Sequence, residues 1–469
     1  LRVLILNGPD DPNIKDSVMV RVDRWPGRKI RRFFKDTVIQ VYPIWTAYTL
    51  AVLREHGITP LFLDSMVEHL DIKQTIQRIK ELEPDMIVIE TSTPSIRIDL
   101  DTTKKIKEAI GVPTVLIDCH ATYFHKELIK EPYVDFVVRG EFEMAVTHLA
   151  ETLRDKKDMH KVLGVTWKND KGEVIVNPDR PLIEDLDTLP YPARDLVDQS
   201  KYRQELCRYK PYFQLFTSRG CPFHCIFCLW PGVLFKNKVR LRKVSKVVDE
   251  IEYLQQEYGA REVYLYDDTL NVSIQRVMDI CNELLDRKVN ISWLCQLRPD
   301  KCSLEMFKLM KKSRCRLVVI GVESGSQELL DNSIDKKITL DQARNAVKWA
   351  KQAGITVHLT FVLGVPGETK ETIKQTYEFI KEVQPDAFQV SVATPYPGTR
   401  YYELIKHKPY KWEDFDGNCG ECFCEGLTRE DLNNAIHRMY LDYYFTPKMI
   451  IKKILEIKTW DDIIANWEL

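Results

Sequence analysis

The sequence has almost no net charge. Its 68 Lys and Arg stand against 69 Asp and Glu, leaving −1 over 469 residues. A chain so balanced presents no field for a nucleic-acid backbone or an anionic membrane surface. Nor does it hold an apolar run near the ~18 residues that a membrane-crossing helix needs. The 12 cysteines are spread unevenly through a long chain for which no signal peptide is expected, so a disulfide framework is not expected either, and a reducing cytoplasm is the expected compartment. Hydrophobic residues at 44% and charged residues at 29% describe a globular protein, and the length asks for two or three domains. Two basic runs, Arg28 to Arg32 and Lys236 to Lys243, read as solvated faces, and the second follows a cysteine loop where an anionic substrate would enter.

That loop, Thr217-Ser218-Arg219-Gly220-Cys221-Pro222-Phe223-His224-Cys225-Ile226-Phe227-Cys228, is the most informative stretch. Three thiolates at C-x3-C-x2-C spacing can hold three irons of a cubane cluster, leaving the fourth iron open. An open metal position is where a small molecule is bound and activated. The competing readings are three buried cysteines, or a zinc site completed by His224.

Strands and helices alternate before and after the loop. Through residue 150, short apolar strands begin at Leu1, Leu61, Met86, Thr114 and Phe136, with helices over 46–56, 73–82 and 100–109. Continuous apolar strands with helices between them predict a buried parallel sheet of doubly wound, flavodoxin-like type, with ligands at the carboxyl ends of its strands. Those ends carry Asn7, Thr91-Ser92-Thr93, Asp118-Cys119-His120 and Gly140-Glu141. A long insertion before the first helix holds Trp25, Tyr42 and Trp45, which either cover a ligand or pack the domain. A β-hairpin over 164–176 and a proline-marked run to Pro192 read as a connector. From about 206, six further strand–helix units predict a partial TIM-like barrel. Its strand ends carry Asp268, Arg298, Glu323 and Gly364 to Gly367. The expected domains are 1–150, a connector over 151–205, a barrel over 206–400 and a mostly helical region over 401–469. Within the last, Cys419, Cys422 and Cys424 form a possible auxiliary metal or thiol site.

These motifs resemble the radical S-adenosylmethionine (SAM) enzymes that carry a cobalamin-binding domain. That class includes C-methyltransferases, an anaerobic cyclase and hopanoid-biosynthesis members. The resemblance rests on the cysteine loop, the barrel rim, and the short matches Arg24-Trp25-Pro26, Tyr42-Pro43-Ile44-Trp45 and Phe227-Cys228-Leu229-Trp230-Pro231. It implies a [4Fe–4S] cluster on Cys221, Cys225 and Cys228. It implies SAM bound by Phe227, Asp268, Arg298, Glu323, Gly364 and Pro366, with Arg298 suited to the SAM carboxylate. It further implies cobalamin held by Asn7, Thr91, Ser92, Thr93, Asp118, His120, Gly140 and Glu141, or a fold that has kept its shape without that cofactor. Asp118-Cys119-His120 matches the first half of the cobalamin motif D-x-H-x-x-G, but Tyr123 stands where the glycine belongs, so His120 is not expected to ligate cobalt.

The implied activity begins with a 5′-deoxyadenosyl radical and leads to cobalamin-dependent C-methylation. The alternatives are a radical cyclisation, ring contraction or C–C coupling, or a non-catalytic corrinoid carrier. The substrate is a protein side chain, a lipid or a small metabolite. A flavodoxin or ferredoxin is the expected electron donor, with no nucleic-acid partner.

Overall fold

A computed structural model describes residues 1–9, 28–31, 36–39, 41–415, 422–447 and 449–451. Trp25 and Cys419 lie outside the described residues. The chain divides into two compact units. One comprises Leu1–Gln204, Cys228–Lys236 and Tyr396–Asp416, the other Glu205–Phe227, Asn237–Pro395 and Gly417–Leu469.

The first unit begins with β1 (Arg2–Asn7), and β2 (Arg28–Arg31) and β3 (Asp36–Ile39) then pair antiparallel as a separate ribbon. The main sheet continues with β4 (Thr59–Asp64), β5 (Met86–Glu90), β6 (Thr114–Ile117) and β7 (Phe136–Val138). Its parallel order is β4-β1-β5-β6-β7, the flavodoxin-like order, with the direction of winding reversing between β1 and β5. The apolar runs dictate this. Every residue of β5, β6 and β7 is buried, as is every residue of β1 after Arg2, so helices must cover both faces. The helix expected from Thr46 begins at Ile44, and the one expected from Leu100 begins at Ile96. The hairpin does more than connect. β8 (Val165–Lys168) pairs antiparallel with β7, and β9 (Val174–Val176) pairs with β8, so the sheet reaches seven strands.

The second unit contains β10 (Tyr212–Leu215), the short pair β11 (Ser218–Arg219) and β12 (Arg240–Leu241), and then β13 (Glu262–Leu265), β14 (Ser292–Leu297), β15 (Cys315–Glu323), β16 (Thr356–Leu363) and β17 (Ala387–Val392). Six strands pair parallel in chain order, β10-β13-β14-β15-β16-β17, and β10 does not pair with β17. This is the partial (β/α)6 barrel the alternation predicts. Val247, Ile251, Val277, Phe307, Val347 and Ile380, from the intervening helices, join the strand residues in one buried core. Edge strand β17 would expose unpaired backbone donors. Two are taken by the helix Arg429–Tyr444, whose Tyr444 and Tyr440 hydroxyls accept from Phe388 N and Val390 N at 3.0 Å each.

Candidate functional site

At the carboxyl end of β13, two adjacent carboxylates hold the stem of the cysteine loop. Asp267 is fully buried and accepts from Thr217 N at 2.6 Å, Thr217 Oγ1 at 2.5 Å and Ser218 N at 3.1 Å. Burial pushes its carboxyl up, and these hydrogen bonds pull against that. Asp268 Oδ2 accepts from Gly220 N at 2.9 Å. Gly220 has φ 88°, a left-handed conformation that glycine adopts at no steric cost, and it turns the chain directly into Cys221.

Cys221 and Cys225 are half-buried in the second unit, and Cys228, exposed, begins the segment that groups with the first. Burial raises the Cys221 thiol to about 11. The charges of Asp268 and Cys225 add to this, and Arg298 opposes it. Burial also raises Cys225, against the pull of Lys336. The loop is pinned midway by Ile226 N donating to Ile334 O at 3.0 Å. Phe227 is half-buried beside it.

The rest of the rim is more self-contained than the sequence suggests. Arg298, suited by type to the SAM carboxylate, already has partners of its own. Its Nε meets Asp300 at 2.9 Å, Nη2 donates to Lys336 O at 2.7 Å, and the guanidinium lies 3.4 Å from the centre of the Phe223 ring. Glu323 follows a register shift in β15 and has φ 74°, and its Oε1 takes Lys336 Nζ at 2.7 Å. Pro366 O accepts from Ser333 Oγ at 2.6 Å. Glu368, past the end of β16, accepts from Thr372 Oγ1 at 2.5 Å and from Gly364 N at 3.3 Å. Its carboxyl is raised to about 7 by burial. Cys424 is buried with its sulfur 3.0 Å from that of Cys422. The contact with Cys422, and burial, push the Cys424 thiol up.

Sequence reasoning did not single out Lys336, Asp267 or Glu368. Lys336 stands 13 residues beyond its partner, with no periodicity linking the two. Asp267 and Glu368 were visible only as neighbours of residues that did attract notice.

In the first unit, the carboxyl ends of β1 and β5 flank the point where the sheet order reverses. Asn7 is buried there, and its Oδ1 has no hydrogen-bond partner among the described residues. Thr91 Oγ1 donates to Ile117 O at 2.8 Å, Ser92 Oγ lies 2.7 Å from Ser95 Oγ, and Gly140 N donates to Thr122 Oγ1 at 3.1 Å. Glu141 accepts from Ile183 N at 2.9 Å. Asp118 has φ 89° and is raised to about 7 by burial. His120 Nδ1 lies 3.1 Å from Thr93 Oγ1, with its ring against Phe124 and Trp412. Burial lowers it to about 3, so the imidazole is neutral.

Tyr42 and Trp45 match the packing alternative of the two left open for them. Each is 1% exposed, and they pack against Tyr202 and Trp230 at ring-centre distances of 5.6 Å and 5.8 Å. Both are buried aromatics of the first unit's core.

The donors fit the implied groups in kind. Three soft thiols lie within Cys221 to Cys228, the ligand type for an iron–sulfur cluster. Among the described residues, no three His, Cys, Asp or Glu side chains converge as a metal-ion site, so the match is one of donor chemistry. The unsatisfied Asn7 oxygen beside small hydroxyl side chains at the sheet's reversal point suits the polar tail of a nucleotide-bearing cofactor.

Comparison with known proteins agrees. The radical SAM superfamily profile matches residues 215–380, and the B12 binding domain profile matches residues 37–150. An uncharacterized methyltransferase of Pyrococcus horikoshii is 32% identical over 88% of this chain and 90% of its own length. The anaerobic magnesium-protoporphyrin IX monomethyl ester cyclase of Rubrivivax gelatinosus is 30% identical over 80% of this chain and 67% of its own. The fold is shared with the radical S-adenosylmethionine methyltransferase TsrM from Kitasatospora setae, solved with cobalamin and a [4Fe–4S] cluster. The TM-score is 0.67 at 18% identity, covering 86% of this chain and 74% of that one. The chain belongs to the radical SAM enzymes that carry a B12-binding domain.

Proposed function

We propose that this protein is a cobalamin-dependent C-methyltransferase acting on an unactivated carbon. The observation that carries this is the joint presence, in one chain, of the C-x3-C-x2-C loop at the rim of a partial barrel and a flavodoxin-like sheet with its polar reversal point. The methyltransferase relative that matches nearly end to end supports the same choice of chemistry. When bound, the [4Fe–4S] cluster and SAM supply a 5′-deoxyadenosyl radical, and methylcobalamin supplies the methyl group.

The protein's part is to bind, orient and exclude water. Cys221, Cys225 and Cys228 serve as cluster ligands. Asp268, which holds the loop through Gly220 N, takes the part of the acidic residue that binds the SAM ammonium group. Arg298 stiffens the loop through Phe223 and the Lys336 carbonyl and contributes positive charge beside Cys221. Glu323 and its partner Lys336 form the next part of the rim. Gly364 and Pro366 bring backbone to the adenine side, and Phe227 lies within the loop itself. In the first unit Asn7, Thr91 to Thr93, Asp118, Gly140 and Glu141 line the corrin tail. His120 remains in its aromatic enclosure and contributes shape. A flavodoxin or ferredoxin supplies the electron, and the cytoplasm is the proposed compartment. Among the described residues, no helix is long and apolar enough to cross a membrane.

The test is anaerobic reconstitution with iron, sulfide, cobalamin, dithionite and SAM, followed by product counting. Methyl transfer gives S-adenosylhomocysteine together with 5′-deoxyadenosine. Deoxyadenosine without S-adenosylhomocysteine would favour a rearrangement of the kind the cyclase relative's name describes. No deoxyadenosine at all would overturn the enzymatic reading.

A further inference from the structure

We propose that the amino-terminal end of the barrel, opposite the cysteine loop, binds a small, multiply charged phosphate compound of nucleotide size. A cleft of about 500 Å³ opens there, and its wall includes Tyr209, Arg261, Ser292, Lys311, Arg314 and Arg316. That volume falls within the range of small-molecule sites. Four of these six side chains are cations, and no carboxylate lines the cleft.

The cations are set in place by the fold. Glu262, fully buried beneath the cleft, accepts from Arg208 N at 2.5 Å, Tyr209 N at 3.2 Å, Ser292 Oγ at 3.0 Å and Arg316 Nε at 2.7 Å. One carboxylate thus positions three parts of the wall while neutralising a single cation. Arg261 lies 5.7 Å over the Tyr209 ring. Arg314 follows the helix Leu304–Lys312 with φ 73°, where glycine is the low-cost residue. It has no carboxylate partner among the described residues. The negative end of that helix favours Lys311 and Arg314, but Arg261 and Arg316 come from the starts of two different strands. Backbone carbonyls hold three of the cations at the wall: Lys311 Nζ donates to Gly354 O, Arg261 Nη1 to Lys210 O and Arg316 Nη2 to Leu206 O. Guanidinium groups lining a concave surface suit phosphate oxygens in geometry as well as charge.

The site is separate from the radical chemistry. β14 runs six residues from Ser292 at the cleft to Leu297, beside Arg298 at the rim, which at extended spacing is about 20 Å. An acidic electron-donor protein would need to approach the cysteine loop, at the other end of the strands. A compact anion is the better occupant.

The experiment titrates tripolyphosphate and ATP separately into the full-length, cluster-reconstituted protein by calorimetry, at low and at moderate salt. Saturable one-site binding that weakens with salt is expected. Tripolyphosphate binding as well as ATP assigns the site to a phosphate chain, and preference for ATP assigns it to a nucleotide. Arg261→Glu with Arg314→Glu should weaken binding by about tenfold or more and leave deoxyadenosine formation unchanged. Arg314→Gly, which relieves the backbone, should also weaken binding while raising Tm. The proposal is overturned if neither probe saturates at low salt or if the variants bind as the parent does. It is equally overturned if adenosine binds as well as ATP, or if an acidic flavodoxin or a single-stranded RNA binds this face while tripolyphosphate does not.

Discussion

Lys336 and Glu323 form an ion pair of 2.7 Å in which neither side chain is more than 12% exposed. The pair controls its surroundings closely. A Cβ added at Gly321 would lie 2.5 Å from Glu323 Oε1 and 3.0 Å from Lys336 Nζ, so any larger residue there would push the tips of both side chains aside. Removing one partner strands the other charge in a poorly solvated site. Lys336→Met should therefore cost about 3 kcal/mol of stability by denaturant titration, and adding Glu323→Leu should recover most of it. A single variant as stable as the parent would show the pair to be better hydrated than its burial implies.

The cluster assignment predicts an uneven response among the cysteines. Changing Cys221, Cys225 or Cys228 to Ala should abolish the iron–sulfur chromophore of the reconstituted protein and its deoxyadenosine formation. Cys422→Ser should leave both in place. Iron and sulfide content, read beside the absorbance, separates cluster loss from misfolding when circular dichroism is unchanged.

Glu368 supplies a pH signature. Burial raises its carboxyl from 4.5 to about 7, so the folded state holds this proton more tightly than the unfolded chain does. Its contribution to stability is therefore full below about 4.5 and is lost as pH rises through about 7. Glu368→Gln should be less sensitive to pH across that window, gaining up to roughly 3 kcal/mol on the parent at the alkaline end. Parallel stability curves for the two proteins would refute this.

His120 gives a spectroscopic test in the first unit. Its ring is neutral, bonded to Thr93 and enclosed by Phe124 and Trp412. If His120 does not ligate cobalt, as proposed, His120→Gln should leave the visible spectrum of the bound corrinoid unchanged. A shifted spectrum, or loss of the nitrogen hyperfine pattern in the reduced corrinoid, would make His120 a ligand.

The parallel sheets were readable because their apolar runs are continuous and their breaks fall at Gly, Pro and Asp. β17 begins and ends where the pattern places it, at Ala387 and Val392. Pairing between distant elements was harder to read. The 165–176 hairpin looks the same in sequence whether it stands alone or adds to a sheet, since only its register against β7 decides. Tyr42 and Trp45 were ambiguous for a related reason. An aromatic residue in a loop serves a ligand or a core equally well, and their partners Tyr202 and Trp230 are more than 150 residues away. At the rim, residue types pointed to the right strand ends, but not to Lys336, whose importance depends on the bend after Gly321.

The division of the chain bears on how the protein can be dissected. Residues Cys228–Lys236 and Tyr396–Asp416 belong to the first unit although they follow parts of the second. They bring Trp230 and Phe235 against Trp45, Trp412 against His120, and Glu403 within 2.9 Å of the Tyr123 hydroxyl. A fragment ending at residue 204 would lack all of these neighbours. During synthesis, the cobalamin-binding unit can complete its packing only after the last barrel strand has left the ribosome.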